Sequence, residues 1–244
     1  MRLALSELTL NTIGLCVRIV MIASVVVLTP SNFLLAQCDP GDRLIGEDEH
    51  YWYCAHESGF PPRAAKLQFA LDAAARRVNP KKSLDPKSQD LNCSAFFREL
   101  GRQIEATGEE WTAATIRDSR GKKSPVQANQ IAEMIRKNPS EWQPVSGTES
   151  VVTRDVQSRA NEGMVVVGVW EGPEHGHLAV ASPMPPNVPL EKFCCRGPMV
   201  RDGNVHLSSG KKKPAGWGAV RAGFAFNDYS GDPPKWYLFR PSAQ

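Results

Sequence analysis

The sequence predicts an α+β domain, with helices in its first half and an antiparallel sheet in its second. Apolar residues recur at three- and four-residue spacing between residues 63 and 137, while β-branched runs broken by Gly and Pro begin at residue 164. The composition supports a real core, with 41% hydrophobic and 23% charged residues in a chain of 244.

Ala64, Leu67, Ala70, Leu71, Ala74 and Val78 predict an amphipathic helix over 63–78. Residues 79–90 are polar, hold two prolines and read as a loop. Cys93, Phe96, Phe97, Leu100 and Ile104 then fall on one face of a second helix, capped by Asn92 and ending near Gly108. Ser124-Pro125 supplies a cap and a first-turn proline for a third, which runs to about Lys137 before Asn138-Pro139 stops it. A short polar helix or turn follows. Strands are expected over 164–170, 177–181, 200–207, 220–226 and 236–239, with Glu171-Gly172-Pro173 turning the chain between the first two. Trp170, Trp217 and Trp236 read as core or cleft wall.

The first 36 residues differ from the rest. Arg2 and Arg18 precede an apolar run over 19–28, which Thr29-Pro30 breaks. That run is shorter than the roughly 20 residues a bilayer requires. With Leu34-Leu35-Ala36 after it, residues 1–36 read as a secretory signal cut after Ala36, or as an uncleaved anchor. Residues 37–84 form an irregular leader with one amphipathic helix packing on the domain, and 85–244 form the domain itself. A secreted or periplasmic monomer is expected, touching a membrane only through the N-terminal segment. The formal net charge of +3 is too small to indicate nucleic acid, and Lys211-Lys212-Lys213 lies among Ser, Gly and Pro as a solvated loop.

Removal of the signal leaves Cys38, Cys54, Cys93, Cys194 and Cys195. Four can pair in three ways in an oxidising compartment, and by this arithmetic Cys93 is the thiol left over. A thiol in the first turn of a helix faces unpaired backbone N–H groups and the positive end of the dipole, an environment that favours a nucleophilic thiolate. Amide chemistry at such a sulfur needs an imidazole to move protons and a third group to hold the ring. His177 opens one predicted strand and His206 lies near the end of another, so adjacent strands bring both within reach. Any polar residue on that second strand could orient the ring equally well.

Four segments, "NCSAFF" at 92–97, "EGMVVVGVW" at 162–170, "GHLAVA" at 176–181 and "VHLSSG" at 205–210, resemble in order the motifs of the NlpC-type, papain-like cell-wall peptidases. The resemblance covers roughly residues 85–244. It implies a papain-like fold, Cys93 as nucleophile, His177 as base and His206 as the orienting residue. It also implies an oxyanion site at the Cys93 backbone N–H, substrate contacts at Asn92 and Ser94, and an amide of a peptidoglycan stem peptide as substrate. No metal or organic cofactor is required. Asn92 stands where the family usually carries Asp, a carboxylate that helps to recognise a free amino terminus. From the residues alone, Ser94 reads as a first-turn helix residue rather than a substrate contact.

Two other function classes fit the same residues. A non-catalytic wall-binding module of the same fold would hold peptide in the cleft with a buried or bridged thiol. A metal-dependent hydrolase would use His175, His177 and His206 as ligands.

Overall fold

The computed structural model describes residues 43–47, 52–55, 59–78, 89–107, 113–121, 126–185, 188–189, 197–203, 219–226 and 232–240. The chain divides into Met1–Asp39, which lies outside the described residues, and Pro40–Gln244. Within the second unit the leader is not irregular throughout. Strands β1 (Arg43–Glu47) and β2 (Trp52–Ala55) pair as an antiparallel hairpin with a register shift between Leu44 and Gly46.

Helix α1 (Pro62–Arg77) begins with proline in its first turn and ends on Arg76 and Arg77, charges that complement the carbonyl end of the dipole. Its buried side, Ala64, Leu67, Gln68, Ala70, Leu71 and Ala74, is rich in alanine, so α2 (Gln89–Ala106) approaches closely. Helix α2 buries Cys93, Phe96, Phe97, Leu100 and Ile104, the five positions its spacing predicts. Helix α3 (Ala114–Gly121), which periodicity did not reveal, packs beside it through Ile116. Helix α4 (Ala128–Lys137) starts later than Ser124-Pro125 suggested; its first turn is closed by Gln130, whose side-chain oxygen accepts the Gln127 N–H at 3.2 Å. Ser124 and Pro125 lie outside the described residues.

The chain then gives strand β3 (Trp142–Val145) and helix α5 (Glu149–Asn161) where only a short polar helix or turn was expected. Strands β4 (Val166–Glu171), β5 (Gly176–Ala181), β6 (Met199–Arg201), β7 (Val220–Arg221) and β8 (Lys235–Phe239) complete a six-stranded antiparallel sheet of order β3-β8-β4-β5-β6-β7. The strand predicted over 220–226 stops after two residues, and the single-turn helix α6 (Ala222–Ala225) takes its place. The molecule is thus an α/β mixture built on an antiparallel sheet. No helix among the described residues is long and apolar enough to cross a membrane.

Strand alternation sorts the core into two faces. Val165, Val167, Val169, Leu178, Val180, Tyr237 and Phe239 share one cluster with α1 to α4. Val166, Ala179, Ala181, Val200, Trp236 and Leu238 share the other with α5, α6 and Phe226. Trp142 ties β3 to the first cluster. It pairs with Phe239 across the strands, ring centroids 5.4 Å apart, and its indole N–H donates to Thr115 Oγ1 at 3.2 Å.

Buried polar contacts fix α5 and α1 against the sheet. The Gln157 amide donates to Asn161 Oδ1 at 2.9 Å and to the Ser182 carbonyl at 3.0 Å, and its oxygen accepts the Met199 N–H at 2.8 Å. Ser182 Oγ in turn donates to Gln68 Oε1 of α1 at 3.1 Å. Gln157→Leu leaves the Met199 N–H of β6 and the Ser182 carbonyl just after β5 without these partners, so it is expected to lower unfolding free energy by about 2–4 kcal/mol. Urea denaturation measures this against the control Val151→Ala, a half-exposed position expected to change stability by less than about 0.5 kcal/mol. An equal effect from both substitutions would refute the network's role.

Candidate active site

Each site residue is held by an element whose origin is local. Cys93 lies on the apolar stripe of α2 and is 1% exposed; its sulfur is a thiol, not part of a disulfide. Cys38, Cys194 and Cys195 lie outside the described residues, as does the Cys54 side chain. His177 is the second residue of β5 and is 2% exposed. The hairpin that presents it is anchored by Asn129 of α4, whose amide donates to the Gly172 carbonyl at 2.9 Å.

The structure brings Cys93 and His177 together and supplies a third residue that sequence reasoning missed. His177 Nε2 lies 2.9 Å from Oδ2 of Asp202, a carboxylate 1% exposed. Strand β6 pairs Arg201 with Val180 and Val200 with Ala181, so the register carries Asp202 to Ala179, two residues from His177 on the same face of β5. Cys93 is the second side chain that acts on the ring, raising its pKa alongside Asp202. Asp202 is the described residue hydrogen-bonded to His177; His206, expected in the orienting position, lies outside the described residues. Asp202 lies within the strand predicted over 200–207, on which any polar residue could orient the ring, and the motif around His206 drew the choice away from it.

Two further expectations need correction. Helix α2 begins at Gln89, so Asn92 lies inside it and is not its cap, and Cys93 lies in the second turn. At that position a backbone N–H is committed to the carbonyl four residues back, so the Cys93 amide is not an open oxyanion donor. Ser94 is 1% exposed, with its hydroxyl buried and no partner found for it among the described residues. It is a core position rather than a surface contact. The Asn92 side chain lies outside the described residues.

Burial alone pulls the His177 pKa down, since an uncharged ring is easier to bury. The hydrogen bond to Asp202, the contact with Cys93 and the charges of both outweigh that cost and raise it to about 10. At neutral pH the ring is therefore an imidazolium, able to donate a proton. Phe226 packs edge-on against it with centroids 5.1 Å apart and keeps water from that side. Beyond Asp202, Arg201 forms an ion pair with Asp72 of α1. His175, outside β5, faces Trp170 with centroids 6.5 Å apart, whereas His177 faces Asp202. The described residues hold no cluster of three or more His, Cys, Asp or Glu side chains placed to bind a metal.

A folded-state pKa above the unfolded value near 6.5 contributes stability that is full below pH 6.5 and is lost as pH rises through about 10. Unfolding free energy is expected to fall across that window, and Asp202→Asn should flatten the slope. Denaturation midpoints at pH 6, 8 and 10 measure it. A slope the same in wild type and variant would show that Asp202 does not hold the proton.

No protein-family model matches the chain, and no curated protein matches it at a significant level.

Proposed function

We propose that this chain is a secreted or periplasmic thiol hydrolase of papain-like fold that cleaves an amide bond of peptidoglycan stem peptides. The observation that carries the reading is the 2.9 Å contact of His177 with Asp202 on a ring whose pKa Cys93 also raises, which supports the roles of nucleophile, proton carrier and anchor that amide hydrolysis requires. The four motifs shared with NlpC-type peptidases supply the substrate class, and three of them fall on α2, β4 and β5.

The reacting form is the Cys93 thiolate beside the His177 imidazolium. The sulfur attacks the amide carbon, forming a C–S bond and a tetrahedral oxyanion. Collapse breaks the C–N bond while His177 gives its proton to the leaving nitrogen, and an amine departs from a thioester. Water then attacks the thioester and gives a proton to His177, and cleavage of the C–S bond releases the carboxyl product and restores the thiolate. Asp202 keeps one ring nitrogen occupied throughout, so the other always faces sulfur or substrate.

One observation favours a second reading, the non-catalytic wall-binding module: all three residues are 1–2% exposed, so catalysis requires a route to them. Digestion of purified peptidoglycan, with fragments identified by mass, separates the two. Wild type should release fragments with new amine and carboxyl ends, Cys93→Ala none, and Asp202→Asn should act about 10²–10⁴-fold more slowly. Activity surviving Cys93→Ala would end the thiol reading, and its loss to a chelator would move the assignment to a metal hydrolase.

A further inference from the structure

A groove of about 1140 Å³ runs along the β3–β8 side of the sheet, between the start of α5 and helix α6. It is large enough for a short peptide. Val145, Val152 and Trp236 give it apolar walls, and Glu149 and Asp232 oppose one cation, Lys235. Its lining also includes Phe226, the ring that packs at 5.1 Å against His177 and at 6.3 Å against Trp236. A single side chain therefore lies on both the groove and the buried imidazole.

The sheet beneath this ring is shaped for it. A Cβ on Gly168 would come within 2.8 Å of the Trp236 ring and 3.2 Å of Phe226. Gly168 pairs with Ala179 on one side and Trp236 on the other, so small residues form the floor on which the two rings lie. Phe226 follows the single turn of α6, next to the exposed Gly223. Such a one-turn helix has few intrahelical bonds to break when it shifts.

We propose that this groove binds the peptide part of the substrate, with a cationic amine towards Glu149 and Asp232, and that Phe226 is the residue whose displacement joins the groove to His177 and Cys93. The proposal rests on the hydrolase reading above. It gives the buried site its route for substrate and assigns specificity for an amine-bearing peptide to residues outside the Cys–His–Asp series.

The test is alkylation of the full chain by iodoacetamide, with modification of Cys93 followed by peptide mass. Phe226→Ala is expected to speed labelling at least about tenfold, the response to removing a local barrier to opening. Phe226→Leu is the milder variant should alanine compromise folding, and urea midpoints check both. Adding Ser146→Trp, which fills the groove from an exposed wall position, should abolish the gain. In hydrolysis assays, Glu149→Gln with Asp232→Asn should raise KM severalfold for a synthetic tripeptide ending in lysine while kcat changes less than about twofold. The same tripeptide acetylated on the lysine amine should not respond. Labelling at the wild-type rate in both Phe226 variants, or a gain that survives Ser146→Trp, would overturn the groove while leaving hydrolysis by Cys93 standing. Faster labelling with no hydrolysis of peptidoglycan by wild type would instead remove the hydrolase reading and the groove's substrate role with it.

Discussion

The contact between His177 and Asp202 is the interaction on which the rest of the site depends. Both side chains are almost wholly buried, and burying an ionised pair costs several kcal/mol per ion unless geometry and further hydrogen bonds compensate. A 2.9 Å contact between one ring nitrogen and Asp202, with Cys93 also favouring the charged ring, supplies that compensation. Removing either partner leaves a charge in the core, so β5, the end of β6 and the start of α2 must stay in register with one another. The same contacts raise the ring's pKa despite its burial.

The surrounding structure serves that register. Gln157 and Ser182 tie α5, β6 and α1 to the far end of β5, and Asn129 ties α4 to the hairpin at its near end. Strand β5 is thus clamped at both ends by side-chain hydrogen bonds, while Leu178 and Val180 pack towards α1–α4 between them. Arg201, beside Asp202, is held by Asp72 of α1, which fixes the end of β6 from the opposite face. These contacts join residues distant in sequence, so the site forms only when the helical half has docked on the sheet.

Local pattern predicted what local physics controls. The buried stripes of α1 and α2, the β4–β5 hairpin and strand β8 were legible because period and turn chemistry agree there, and Cys93 and His177 followed from them. Helix α3 is short, and in the charged segment Arg117-Asp118-Ser119-Arg120 its period is too brief to detect. Strand β3 contains Pro144, which argues against a strand in sequence but is tolerated at the sheet edge where β3 lies. Val220 to Phe226 reads as a strand by composition, yet the chain turns into α6 and seats Phe226 over Gly168, a contact between residues 58 positions apart. Asp202 was passed over within the strand expected over 200–207, because which polar residue of that strand meets His177 is set by pairing across strands. The start of α2 at Gln89 was hidden by a polar, proline-containing approach, and it leaves the Cys93 amide inside the helical hydrogen-bond ladder.

The most direct measurement is nuclear magnetic resonance of the His177 ring nitrogens as a function of pH. The account predicts a doubly protonated ring at pH 7 that loses its proton near pH 10, and a clear downward shift of that titration in Asp202→Asn. A ring that is neutral at pH 7, or that titrates near 6.5 with or without Asp202, would contradict it.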